Sequence, residues 1–218
     1  WLQSAQVTHV AMESTGVFWK PVWHVLEGSF ELILGNAREM RNVPGRKTDV
    51  ADAEWIADLL AHGLIRSSFV PPVAIQELRD LTRTRAQLVR EMARHTQRLQ
   101  KTLEDANIKL TETLSNVLGK TGRALLEALI RGETDLDRLV DLRRGRLRAT
   151  REELRDALRG RLRDHHRFLL KLHYQQIESL ETAIRELEAR ASAQLEPFRE
   201  DIDRLVTTPG ISAVVARG

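Results

Sequence analysis

Two short apolar runs, one on each side of a helical segment, place the tightest constraint on how this chain folds. Residues 7–12 and 30–34 are short and apolar, and the first run is rich in β-branched side chains, so both are predicted to be strands. Residues 17–27 between them are predicted to form a helix that stops at Gly28. A strand, a helix and a strand in this order predict a parallel βαβ unit within an α/β layer.

Three acidic side chains lie at the ends of predicted elements. Glu13 ends the first apolar run, and Asp49 and Asp52 open a predicted helix over residues 49–62, with Thr48 as its N-cap. Residues three apart on a helix point the same way, so these two aspartates repel each other unless a cation binds them. Mg²⁺ is commonly held by one or two carboxylates and substrate phosphates, so the three acids predict a metal-dependent phosphoryl-transfer site.

Each acid also has a simpler interpretation. Asp49 suits the positive end of a helix dipole, Asp52 would then be solvated, and Glu13 would be a surface acid at a strand end. The residues alone favour this simpler interpretation. If the metal site exists, Arg46 and Lys47 lie just before Asp49 and would meet the phosphates beside the cut. They belong to a predicted loop over residues 38–47.

From residue 75 onward the pattern is helical. A rotation of about 100° per residue gathers leucines and Met92 on one side of a helix over residues 75–103. The opposite side carries a set of cations that we call the basic stripe: Arg79, Arg83, Arg90, Arg94 and Lys101. A helix with one apolar and one basic side is expected to pack on a partner helix and to present its cations to phosphates.

A second long helix is predicted over residues 161–193, ended by Pro197, with a shorter helix over residues 121–131 before it. Its apolar residues follow alternating steps of three and four, which is a short heptad seam: Ile177, Leu180, Ile184, Leu187 and Ala191. Two long helices joined by a helical insertion predict an antiparallel coiled-coil arm, and the seam would pair protomers into a homo-oligomer. Residues 207–216 are predicted to begin another domain.

The formal net charge of the chain is only +3, yet its arginines are concentrated in blocks. One block contains the basic stripe, and a second block of ten arginines spans residues 142–171. The second block is either a nucleic-acid contact or a solvated helix face with Glu152, Glu153 and Asp156 as partners four residues away. The histidines, including His165 and His166, are expected to be surface or core residues rather than metal ligands.

The chain contains no cysteine, which fits a reducing cytosol and excludes a thiolate zinc site. No apolar run approaches the roughly 20 residues of a membrane span, so no membrane partner is expected.

Several motifs together resemble the DEDD-type insertion-sequence transposases that are related to the Piv invertase, among them recombinases guided by a bridge RNA. They are residues 10–16, 43–53, 56–60, 78–85 and 209–211. The resemblance implies a partial RuvC-like domain of ribonuclease-H type over residues 1–72, a helical coiled-coil region over 73–200, and the start of a helical C-terminal transposase domain over 201–218.

The resemblance also implies roles for individual residues. Of the family's four acids, Glu13 matches the second, Asp49 the third and Asp52 the fourth. The first aspartate would lie before Trp1 and the serine nucleophile of the C-terminal domain beyond Gly218, so we expect an internal fragment that is inactive alone.

By this resemblance the protein is expected to cut and rejoin DNA using Mg²⁺ or Mn²⁺, with DNA and a guide RNA as partners, in the bacterial cytoplasm at the nucleoid. The alternative is a nucleic-acid-binding and dimerising module without chemistry of its own. A RuvC-like junction resolvase shares the acids but lacks the long arm and the Pro-Gly-Ile motif at residues 209–211, so it is disfavoured.

Overall fold

The computed structural model covers most of the chain. It describes residues 1–41, 49–145 and 147–212, with the backbone alone for residues 41 and 49–51. The chain divides into two compact units, Trp1–Pro72 and Val73–Gly218. None of the helices in the described ranges has both the length and the apolar character needed to cross a membrane.

The first unit is built on a βαβ arrangement. Strand β1 (His9–Glu13) is followed by helix α1 (Trp19–Leu26) and strand β2 (Glu31–Gly35). The two strands are parallel, and the pairing runs from His9 opposite Glu31 to Glu13 opposite Gly35. Gly28 follows α1 with a φ of +81°, which a residue without a Cβ adopts at little cost, so it lets the chain turn into β2. The predicted parallel βαβ unit is confirmed.

Two helices follow β2. The short helix α2 (Ala37–Arg41) corrects the predicted loop over residues 38–47, since the first part of that segment is helical. Its cause is local, because the Asn36 side chain accepts a hydrogen bond from the Arg38 backbone N–H at 2.9 Å, as an N-cap does. Helix α3 (Asp49–Ala61) begins at the predicted residue and packs against β1.

The second unit contains a hairpin of two long helices, α4 (Val73–Asp105) and α9 (Asp164–Leu195), with four short helices between them. Contacts along the hairpin pair successive residues of α4 with progressively earlier residues of α9. They join Glu77 to Gln194, Arg85 to Glu188, His95 to His173, and Asp105 to His166. The helices are therefore antiparallel, as predicted, whereas coiled-coil packing between them stays a prediction.

The helices between α4 and α9 close one end of the hairpin. They are α5 (Leu110–Thr113), α6 (Lys120–Arg131), α7 (Leu136–Asp141) and α8 (Arg151–Ala157). Their buried leucines form one apolar cluster with the adjoining parts of α4 and α9, including Leu103, Leu126, Leu154, Leu170 and Ile177. Fully burying such a side chain stabilises a fold by about 1.5–3 kcal/mol, so this cluster anchors the second unit.

Two residues of the heptad seam of α9 are buried within this chain. Ile177 is fully buried and Ile184 is 8% exposed, and both lie on the helix that packs along α4. After α9 the chain makes a 3₁₀ turn (Glu196–Phe198) containing Pro197, then helix α10 (Arg199–Val206). The predicted end of the long helix at Pro197 is thus confirmed, and the further domain predicted after residue 207 stays a prediction.

Candidate functional site

Glu13 is the last residue of β1, at the carboxyl end of the parallel pair. Its side chain is half-buried, and its Oε1 accepts a hydrogen bond from the Thr15 hydroxyl at 2.5 Å. The backbone N–H of Ser14 donates to the Gly35 carbonyl at 2.9 Å, which holds the end of β1 against β2. Carboxyl ends of parallel strands are where α/β layers place their ligands, so Glu13 lies where a functional acid is expected.

Helix α3 supplies the other two acids. It begins at Asp49, whose side chain lies outside the described residues, and Asp52 is half-buried in its first turn. Helix α3 packs against β1, the strand that ends at Glu13, and both elements lie in the first unit. The positive end of the helix dipole favours carboxylates in this turn.

The donor set fits a hard divalent cation, because all three predicted ligands are carboxylates. Among the side chains that the structure describes, no group of three or more His, Cys, Asp or Glu could hold a metal ion. The Asp49 carboxylate is not among the described side chains, so the three-acid site stays a prediction. Arg46 and Lys47 also lie outside the described residues.

The basic stripe lies along α4 as predicted. All five of its side chains are exposed: Arg79, Arg83, Arg90, Arg94 and Lys101. They fall within about 60° around the helix axis and span about 33 Å along it, at 1.5 Å per residue. Within the described part of the chain, none of the five forms an ion pair with an acid. A row of unpaired cations of this length matches roughly one turn of B-DNA.

One further arginine of α4 is engaged in packing. Arg85 lies on the side that faces α9 and forms an ion pair with Glu188 at 2.7 Å. Arg85 therefore lies on the packing side of α4, whereas the basic stripe lies on another side of the helix. Substituting Arg85 is a control for substitutions in the basic stripe.

Four arginines of the second block form ion pairs with acids of the described chain. Arg151 pairs with Asp141 at 2.6 Å, and Arg155 pairs with Asp137, so these ion pairs join α8 to α7. Of the acids predicted as partners four residues away, Asp156 instead pairs three residues ahead with Arg159 at 3.2 Å. Five described arginines of this block form no ion pair with an acid, as many as in the basic stripe, so nucleic-acid contact here stays a prediction: Arg143, Arg144, Arg148, Arg161 and Arg163.

Glu153 corrects another part of that prediction. Its carboxylate accepts from the Thr150 backbone N–H at 2.7 Å, and the Thr150 hydroxyl accepts from the Glu153 N–H at 3.2 Å. These two bonds form a capping box at the start of α8. The Thr150 backbone N–H and the Thr150 hydroxyl, which donates to the carboxylate at 3.0 Å, lower the pKa of Glu153. Glu153 is a capping residue because it follows Thr150 by three positions.

His166 is buried at the start of α9. His166 is 2% exposed, its Nδ1 accepts from the Arg163 backbone N–H at 3.2 Å, and its Nε2 lies 3.1 Å from an Asp105 carboxylate oxygen. It is a core residue that joins the start of α9 to the end of α4, as the prediction for the histidines allows.

The pair of His95 and His173 was not predicted from the sequence. Their Nδ1 atoms are 3.2 Å apart between α4 and α9. A signal for it does exist, because His173 precedes Ile177 by four residues and therefore extends the heptad seam by one step. Burial, the adjacent His95 and the Arg98 charge lower the pKa of His173.

A comparison with known protein families gives one match, in the first part of the chain. Residues 1–108, just under half of the 218 residues, match a family model described as a transposase. The match supports a DNA-processing enzyme, and within that class an insertion-sequence transposase of the IS110 type. It includes β1, α3 and all of α4. No curated protein and no solved structure matches the chain.

Proposed function

We propose that this protein is the transposase of an insertion sequence and cuts and rejoins DNA strands at a metal site built from Glu13, Asp49 and Asp52. The observation that carries the proposal is the transposase match over residues 1–108, which contains all three acids and the basic stripe. The position of Glu13 at the carboxyl end of β1, with α3 packed on the same strand, supports grouping these acids.

The three carboxylates would hold Mg²⁺ or Mn²⁺, which supplies polarisation of the scissile phosphate. Glu13 is oriented by the Thr15 hydroxyl, whose hydrogen bond limits the rotamers that the carboxylate can adopt. Asp52 is carried by the first turn of α3. Arg46 and Lys47 precede that turn and would neutralise phosphates on either side of the cut.

The basic stripe would bind the nucleic-acid backbone. Contacts to phosphate fix position and orientation without reading sequence, so target choice requires another source, for which we propose a guide RNA. The long hairpin would bring protomers together in a homo-oligomer on DNA at the bacterial nucleoid.

The experiment that tests the proposal is cleavage of supercoiled plasmid in the presence of Mg²⁺ by the transposase expressed from its complete reading frame. Asp49→Asn and Asp52→Asn should each abolish nicking, because the amide is a weaker and uncharged ligand. Asp58→Asn is the matched control, since Asp58 is exposed on the same helix opposite Asp49. Equal activity in all three variants would rule out the metal site.

A second candidate function rests on the unpaired basic stripe. Five exposed cations on one helix side suffice for nucleic-acid binding without any chemistry. The same plasmid assay separates the two functions. Binding without nicking by the complete protein would favour the binding module, whereas nicking that requires Asp52 would favour the enzyme.

A further inference from the structure

Two histidines face each other across the helical hairpin. The Nδ1 atoms of His95 and His173 are 3.2 Å apart, their ring centres are 5.3 Å apart, and the rings make an angle of 61°. Both side chains are half-buried, so water reaches them only from one side. At this distance either an N–H···N hydrogen bond between the rings or a metal ion bound by both nitrogens satisfies the lone pairs.

The two separations match those that a transition-metal ion imposes. Two imidazole nitrogens bound at about 2.0–2.1 Å to one tetrahedral ion lie roughly 3.3–3.4 Å apart, and their ring centres about 5.2 Å apart. The observed separations of 3.2 Å and 5.3 Å agree with both values. We propose that His95 and His173 form a binding site for a divalent transition-metal ion such as Zn²⁺, which ties α4 to α9.

Protons and a nearby positive charge both act against a metal ion at this site. A histidine binds a metal ion through the lone pair of an uncharged ring nitrogen, so protons compete with the ion for both rings. Arg98 is the charge that opposes the site, because its guanidinium repels a bound cation. Its side chain is exposed, and water therefore screens this repulsion.

The site differs in kind from the proposed carboxylate site. The hairpin would supply two ligands and water would complete the coordination, since the described ranges hold no group of three or more His, Cys, Asp or Glu that could bind a metal ion. Imidazole suits Zn²⁺, whereas Mg²⁺ prefers oxygen ligands. The inference therefore does not depend on the proposed cleavage chemistry.

The test is a titration of the metal-free 218-residue chain with Zn²⁺ by calorimetry, in excess Mg²⁺ to occupy carboxylate sites. We expect a site at the hairpin, and a Tm that rises with Zn²⁺ because the ion binds the folded state. His95→Gln and His173→Gln should each weaken this site by more than about tenfold, since losing even an outer-sphere partner costs about 10–100-fold. Circular dichroism would show that both variants remain helical.

Two control variants sharpen the titration. His165→Gln removes an exposed histidine near the start of the same helix α9 and should leave the affinity unchanged. Arg98→Gln should bind Zn²⁺ more tightly, because it removes the opposing charge. The proposal would be overturned if the chain did not bind Zn²⁺, or if His95→Gln and His173→Gln both kept the affinity of the unmodified chain. An equal loss of affinity in His165→Gln would also overturn it.

Co²⁺ gives a readout that needs no variant to fold. Titrated into the unmodified chain in excess Mg²⁺, Co²⁺ held tetrahedrally by the two imidazoles should produce visible absorption that Zn²⁺ then removes. A titration that develops no such absorption would overturn the tetrahedral two-histidine site.

Discussion

Packing between the two long helices sets the protonation of His173. Its pKa in the folded chain is lowered by burial, by His95 and by Arg98, so the unfolded chain binds more protons between the two pKa values. The contribution of the neutral His173 ring to the free energy of unfolding is therefore complete above the pKa of the unfolded chain, about 6.5. It is lost as the pH falls toward the lower pKa of the folded chain. In metal-free buffer we expect Tm to fall on acidification through this range, and His173→Gln to flatten the fall.

The carboxylates respond in a different pH window. The lowered pKa values of Glu104, Glu133 and Glu153 lie below about 4.5, so their contribution is lost only under more acidic conditions. A Tm profile above pH 5 that is identical in the unmodified chain and in His173→Gln would contradict the role of this histidine.

Gly122 is required by a close backbone approach. A Cβ at this position in the first turn of α6 would lie 2.0 Å from the Val117 carbonyl oxygen. Glycine to alanine within a helix normally stabilises by about 0.5–1 kcal/mol, but here the clash outweighs that gain. We expect Gly122→Ala to lower the free energy of unfolding by about 1–3 kcal/mol in urea denaturation. Increased stability would mean that Val117 moves aside freely.

At the scale of single elements, α4 separates packing from binding. Arg90→Gln and Arg94→Gln should weaken nucleic-acid binding for all sequences alike, and each should reduce the slope of log K against log salt by about 1. Arg85→Gln is the matched control on the same helix, because Arg85 is paired with Glu188. Filter binding at several salt concentrations measures all three, and an equal effect of Arg85→Gln would contradict the assignment of the stripe.

Sequence periodicity predicted the long elements well because their signals repeat. Helix α3 begins at the predicted Asp49, and the apolar and basic sides of α4 follow from the helical repeat alone. Helix α2 was missed because five residues are too few to show a period, and its start depends on one Asn36 hydrogen bond. The partner of Glu153 was missed because capping competes with ion pairing at the same spacing.

At the scale of the whole molecule, the sequence predicted which helix sides are apolar but not which residues meet. The register that places His95 beside His173 depends on the four helices between α4 and α9, whose short lengths carry little periodic signal. The candidate acids were found because they end a strand and begin a helix. Their grouping depends on long-range packing of α3 on β1, which no local pattern reports.

In the proposed function, Asp52 binds the metal ion that acts in DNA cleavage. The most direct measurement is plasmid nicking by an Asp52→Cys variant of the transposase, in which the 218 residues contain no other cysteine. A thiolate is a poor ligand for Mg²⁺ but accepts softer ions, so the variant should be inactive in Mg²⁺ and regain activity in Mn²⁺. Asp58→Cys should nick normally in Mg²⁺. Full activity of Asp52→Cys in Mg²⁺ would contradict the claim.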